Sequence, residues 1–261
     1  MLKITPIPAL QDNYIWAIHG QSDTVVIVDP GEAEPVFAFL QTTGLRLTAI
    51  LCTHRHHDHV GGIAELRGVY NVPVYGRSHP NNPHITHALQ EGDRLLLEDI
   101  PVEFEIWELP GHLVDHIAFV APGAVFSGDI LFGAGCGKNF EGSTEQLYQS
   151  LQRLAGLPDE TLVYSAHEYT EYTLRFAVHS EPDNAAIQQR VKATQAMRAA
   201  GRPTVPFTIA LEKATNPFLR VGRPGLIEIL KAHGLADDSP ASVFAALLRW
   251  HDHFRLPRKA F

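Results

Sequence analysis

Cysteine, methionine, tryptophan and basic charge are all scarce in this chain. Its 261 residues include two Cys, two Met and three Trp, with 21 Lys and Arg against 29 Asp and Glu. Two cysteines, Cys52 and Cys136, make no disulfide framework, so packing must hold the fold and both thiols are expected free in a reducing compartment. A formal net charge of −8 argues against nucleic acid as a substrate, because phosphate binding needs a basic surface. No apolar run is long enough to span a bilayer. The opening residues Met1 to Pro6 show no long apolar stretch of the signal-peptide kind. No Gly-x-Ser-x-Gly elbow offers a serine nucleophile, and neither a repeat nor a low-complexity segment occurs. The expectation is a soluble, cytoplasmic protein with no membrane and no obligate protein partner. With 45% apolar and 9% aromatic residues, it can bury a full core, as one large domain or as one domain plus a smaller appendage.

Histidine is what the chain has in excess, at 15 residues. Three fall in His54-Arg55-His56-His57-Asp58-His59 together with a fourth, directly after the apolar run Leu47 to Cys52. Neutral imidazole and carboxylate are ligands for a borderline cation such as Zn²⁺. Side chains two apart on an extended segment point the same way, so His54 and His56 can share one ion. Asp58 and His59 follow the turn and face a second. Gly61-Gly62 then lets the backbone curl into a helix. By the same alternation Arg55 and His57 point away.

Short β-branched and aromatic runs at 13–18, 24–28, 47–52, 102–109 and 162–164 read as strands, with a hairpin of 117–120 and 124–126 around Pro122-Gly123. Residues 34–41 and 143–154 read as helices, the second capped by Ser143. After about Glu168 the pattern turns helical, over 185–200, 226–232 and 242–254, with a last strand pattern at 208–211. The expected organisation is an α/β catalytic domain over 1–168 and a mostly helical domain over 169–261.

One cluster cannot close two metal sites, so further ligands are expected at other strand ends. His112 follows one predicted strand, Asp129 another and His167 a third. His54, His56 and His112 are assigned to one ion, Asp58, His59 and His167 to the other, and Asp129 to a bridge. His116 is expected to make a contact behind the ligands or in the core. His79, His84 and His87 read as exposed-loop residues, and His179, His233 and His253 as helical residues without partners.

Thr53-His54-x-His56-x-Asp58-His59, with Gly111-His112, Gly128-Asp129 and His167, resembles the metallo-β-lactamase superfamily. Within it the chain looks like the glyoxalase II family, the hydroxyacylglutathione hydrolases. The carrying stretches are Asp12-Asn13-Tyr14, the segment from Gly135 to Gly142, Ala166-His167-Glu168-Tyr169-Thr170, and Asn216-Pro217-Phe218-Leu219-Arg220. The resemblance implies an αββα sandwich with a helical C-terminal domain and a dinuclear site at the sandwich edge. The expected cofactors are two divalent ions, zinc first, with iron or manganese as alternatives. It also implies a glutathione thioester such as S-lactoylglutathione as substrate, hydrolysed in the second step of methylglyoxal detoxification. Lys138, the backbone of Phe140 and Tyr169 would contact the glutathione part.

Two ions about 3.5–4 Å apart bring the pKa of a bridging water towards 7 and supply hydroxide, which Asp58 is expected to orient. A thiol with a pKa of about 8.5 departs with little acid help, so a thioester suits the site. The C-terminal helix departs from the family pattern. Leu248 stands at the family's arginine position and His251 at its lysine position, with Arg249 displaced by one. Arg249 and His251 are the remaining candidate contacts. Another thioesterase or a lactonase is the competing reading, and a mononuclear-iron persulfide dioxygenase a more distant one.

Overall fold

The computed structural model describes residues 2–254. Residues 255–261 of the expected helical domain lie outside them. The strands are β1 (Ile4–Ala9), β2 (Asn13–His19), β3 (Thr24–Val28), β4 (Arg46–Cys52), β5 (Val74–Gly76), β6 (His87–Ala88), β7 (Arg94–Leu96), β8 (Glu103–Glu108), β9 (Ile117–Ala121), β10 (Ala124–Gly128), β11 (Leu131–Phe132), β12 (Gly135–Cys136), β13 (Leu162–Ser165) and β14 (Phe207–Thr208). The helices are α1 (Glu34–Thr43), α2 (His57–Val60), α3 (Ile63–Tyr70), α4 (Thr144–Ala155), α5 (Thr170–Ser180), α6 (Ala185–Ala199), α7 (Ile209–Thr215), α8 (Pro224–Ala232) and α9 (Pro240–His253).

Strands β1 to β6 form one mixed sheet in chain order, and the other sheet runs β14-β13-β10-β9-β8-β7. Alternation along β2 shows how the layers are built. Trp16 and Ile18 join the core between the sheets, whereas Ile15 and Ala17 join a second cluster with Val36 and Leu40 of α1 and Ile63 and Leu66 of α3. A sheet buried on both faces reads as a continuous apolar run, and all five residues of β3 are buried. The sheets are tied by Trp16, whose ring meets Tyr164 edge-on at 5.0 Å and whose Nε1–H donates to the Ser165 carbonyl at 3.0 Å.

On the second sheet's outer face, α4 buries Leu147, Leu151 and Leu154. Its N-terminus is a capping box: Ser143 Oγ accepts from the Gln146 N–H, and Gln146 Oε1 accepts from the Ser143 N–H, satisfying two otherwise orphan donors. Arg153 lies 4.2 Å from the Trp107 ring centroid and anchors the helix over β8. Helices flank the paired sheets on both sides, which is the αββα arrangement.

Several local expectations need correction. The strand pattern at 208–211 holds for Phe207–Thr208 alone; Thr208 then caps α7, its Oγ1 accepting from the Leu211 N–H at 3.2 Å. Helix α5, at 170–180, was not foreseen. His57 opens α2 rather than continuing a strand, so it is exposed by helical geometry, not by alternation. His87 lies on β6, paired with Tyr75, although it is exposed. His179 and His233 do have partners: both pack on Trp250, at 5.3 and 4.6 Å. The ring of His253 is hydrogen-bonded to the Arg249 carbonyl.

Candidate metal centre

The site gathers at one end of the sandwich, where strands deliver ligand-type residues in turn. Strand β4 ends at Cys52 and leads into His54 and His56; α2 carries Asp58 and His59; His112 follows β8, Asp129 follows β10 and His167 follows β13. Gly128 makes the β10 exit possible. Its φ is +47°, and a Cβ there would meet Thr53 Oγ1 at 2.5 Å and His116 Nε2 at 2.6 Å, so only glycine fits.

Two groups result. His54, His56, His112 and Asp129 form one, and Asp58, His59 and His167 the other; within each, the potential ligand atoms lie within 4.8 Å of one another. Asp129 also reaches the second group, with Oδ1 3.4 Å from His59 Nε2 and 3.3 Å from His167 Nε2. Its Oδ2 lies 3.4 Å from His112 Nε2 and 3.9 Å from His54 Nε2.

Partners outside the cluster set the imidazole tautomers. His59 Nδ1–H donates to Asp29 at 3.0 Å, His167 Nδ1–H to Asp12 at 2.8 Å and His112 Nδ1–H to the Lys138 carbonyl at 2.8 Å. The Thr53 hydroxyl donates to Asp29, so its oxygen accepts from His54 Nδ1–H at 3.1 Å. Each ring therefore directs Nε2 inward, the outer-partner arrangement typical of ligating histidines. His56 presents Nδ1, 3.1 Å from His54 Nε2 and 2.9 Å from His112 Nε2.

Burial, aided by neighbouring histidines, holds His54 well below the usual 6.5. Burial also lowers His56 and His112, against the pull of Asp129. In the other group burial is overridden: Asp129 and Asp29 raise His59 well above its ordinary value, and Asp129 with Asp58 raises His167 to about 10. Asp58, despite burial, is held far below the carboxylate range by His167 and His59, whose Nε2 atoms each lie 3.4 Å from its Oδ2.

A divalent cation fits these residues. His59 Nε2 and Asp129 Oδ1 are buried without a hydrogen-bond partner, which is costly unless something else satisfies them. The donor set is imidazole and carboxylate throughout.

Sequence reasoning missed Asp29 and Asn13 as outer partners, whereas His116 and Arg55 lie as expected. Asp29 stands at the end of β3 in the left-handed region, φ +53°, and an acidic residue at a strand end was the available signal. Asn13 Nδ2–H donates to Asp58 Oδ2 at 3.1 Å. His116 is buried and stacked on His54 at 4.8 Å, its Nε2 accepting the Asp129 N–H. Arg55 turns away and pairs with Asp115 and Glu141.

The centre opens into a cleft of about 910 Å³ lined by His56, Asp58, His112, Asp129 and His167, and farther out by Lys138, Phe140, Tyr169, Tyr172 and His251. Tyr169 stacks on His167 with centroids 4.6 Å apart. The Phe140 N–H is donated to the His112 carbonyl, so it is not free for a ligand, while the ring stands exposed over His56 and His112. Arg249 is exposed and lines a different depression with His233 and Trp250. It is not a cleft residue, because one helical step turns it about 100° from Leu248, which is buried.

Comparison with known proteins agrees with this geometry. Residues 10–167 match the metallo-beta-lactamase superfamily, and residues 168–254 match the hydroxyacylglutathione hydrolase C-terminus. The hydroxyacylglutathione hydrolase of Xanthomonas euvesicatoria pv. vesicatoria is 48% identical over 97% of this chain and 100% of its own length. That of Alkalilimnicola ehrlichii is 48% identical over 97% of this chain and 99% of its own. The crystal structure of TTHA1623 in a di-iron-bound form is 30% identical with a TM-score of 0.61, covering 82% of this chain and all of that one. This chain belongs to the hydroxyacylglutathione hydrolase family of the metallo-β-lactamase superfamily.

Proposed function

We propose that this enzyme hydrolyses S-2-hydroxyacylglutathiones, S-lactoylglutathione among them, to the 2-hydroxy acid and glutathione. One observation carries the reading: two ligand groups joined at Asp129 open onto a cleft whose outer wall (Tyr169, Tyr172, His251) comes from the segment matching the hydroxyacylglutathione hydrolase C-terminus. His54, His56 and His112 would hold one ion, Asp58, His59 and His167 the other, and Asp129 both. Zinc is the proposed metal; the di-iron form of the relative supports iron as the alternative.

Two bound ions supply a Lewis acid and a water of lowered pKa. The chain's own residues supply position and proton control. Asp58, tied through Oδ2 to Asn13 and close to His59 and His167, stays ionised and accepts a hydrogen bond from the attacking water. Burial, reinforced by Asp12 and Asp129, raises the pKa of Tyr169, so its phenol remains a donor towards the bound thioester. Lys138, exposed at the cleft mouth, offers an ammonium to a glutathione carboxylate. The thiolate leaves without a dedicated acid.

Among the described residues no helix is long and apolar enough to cross a membrane. Cys52 and Cys136 are free and buried, in keeping with the cytoplasmic setting proposed here. The test is thioester loss followed spectrophotometrically with S-lactoylglutathione, a non-glutathione thioester and a lactone. Preference for S-lactoylglutathione is expected; faster turnover of the lactone would overturn the reading.

A further inference from the structure

Behind the cleft wall, made of none of the metal-ligand candidates, lies a buried polar network. Arg190 of α6 is 5% exposed, and Glu212, Thr215 and Asn216 are fully buried. Arg190 Nη2 sits 2.6 Å from Glu212 Oε1, and its Nη1–H donates to Thr215 Oγ1. Asn216 Nδ2–H donates to Glu212 Oε2 at 2.8 Å and to the Gly135 carbonyl at 2.9 Å. Glu212 Oε2 also accepts the Ala134 N–H at 2.9 Å. A buried ion pair is weak support for stability, since an apolar pair of similar volume often does as well. Its placement asks for another explanation.

With a longer contact from Asn216 Nδ2–H to the Phe132 carbonyl at 3.5 Å, three hydrogen bonds from the network end on the β11-β12 hairpin. Ala134 has φ +57°, a left-handed conformation that costs a residue with a Cβ and persists only where the surroundings enforce it. The hairpin pairs Leu131 with Cys136 and Phe132 with Gly135. It puts Phe132 edge-on to His167 at 5.7 Å and to Tyr169 at 5.1 Å, and it leads directly to Lys138. Phe132, Cys136 and Lys138 all line the cleft.

We infer that Glu212, held by Arg190 and Asn216, is a positioning residue: it clamps Ala134 in its left-handed turn and so sets the cleft wall that receives the thiol half of the substrate. This rests on the proposed function for the identity of that substrate. It also gives the Asn216-Pro217-Phe218 stretch a task, with Asn216 bridging the carboxylate to the hairpin.

Glu212→Leu with Arg190→Met removes the pair without stranding a buried charge. The KM for S-lactoylglutathione should rise about tenfold while kcat stays within about twofold, the signature of lost uniform binding. Metal content should equal wild type, and hydrogen exchange at the Ala134 amide should accelerate. Adding Ala134→Gly should return KM towards wild type, because glycine holds a positive φ unaided; a merely structural defect would not be rescued there. Asn216→Ala should raise KM in the same direction by less. Unchanged KM in these variants, or unchanged protection at Ala134, overturns the inference. Failure of the wild-type enzyme on S-lactoylglutathione would refute the proposed function instead, and Ala134 exchange would still decide this one.

Discussion

The two ends of the cleft are built on opposite principles. At the metal end, His54, His59, His112, Asp129 and His167 are all buried. Every ring but His56 is held through Nδ1, by Thr53, Asp29, Lys138 or Asp12. At the outer end Lys138, Phe140 and Tyr172 are exposed, and His251 lies against Phe176 and Phe218 at 4.9 and 5.6 Å. The inner end fixes its geometry with buried rings tethered from behind, whereas the outer end presents mostly exposed side chains to the substrate. Substitutions should therefore cost orders of magnitude inside and small factors outside.

The largest effect is expected at Asp129, whose two oxygens face both ligand groups. Asp129→Ala should lower metal content at both and abolish hydrolysis, read by elemental analysis and rate; a variant retaining both would break the contrast at its centre. One step back, Asp29→Ala frees His59 Nδ1 and should weaken metal affinity about 10–100-fold, the usual cost of losing an outer partner. Competition with a chelator measures this, and a change below twofold would show that Asp29 serves packing alone. At the mouth, Lys138→Ala should raise KM by no more than about fivefold, as for a solvent-screened ion pair.

His251 sharpens the comparison through pH. Burial lowers its pKa from the ordinary 6.5; Lys138 pushes the same way and Asp252 opposes. A histidine so lowered is neutral at pH 7 and above, and gains a proton only as pH falls below 6.5. KM should be flat from pH 7 to 8 and decrease on acidification, as imidazolium begins to attract a glutathione carboxylate. This places the transition lower than an unperturbed histidine would. His251→Lys should lower KM at pH 7–8 by a few-fold and remove the trend. Arg249→Ala, outside the cleft, should change KM by less than about twofold, the ordinary tolerance of an exposed site.

The inner end was legible in the sequence because its signals are local. A ligand-type residue directly after an apolar strand shows in a short window, and seven such residues converge here. Strands β2, β3 and β4 likewise fall close to where their apolar runs place them, whereas the sandwich they build was implied by the family resemblance. What stayed hidden depends on long-range pairing. Asp29 is 30 residues from His59, and Ala134 is 78 from Glu212, so no window holds both partners. Helix α5 was missed because its apolar positions meet several partners at once: Leu174 and Ala177 join a small cluster with Ala134 and Ile187, while Phe176 joins the main core. The outer recognition end was read through resemblance alone, and there the candidate contact Arg249 lines a different depression.

The central claim is that the inner end works as a pair of ion sites sharing Asp129. Titration of the metal-free wild-type enzyme with zinc, following S-lactoylglutathione hydrolysis, tests it most directly. Activity should climb until about two equivalents per chain are bound, as a two-ion site requires. Full activity at one equivalent, with no gain from the second, would contradict it.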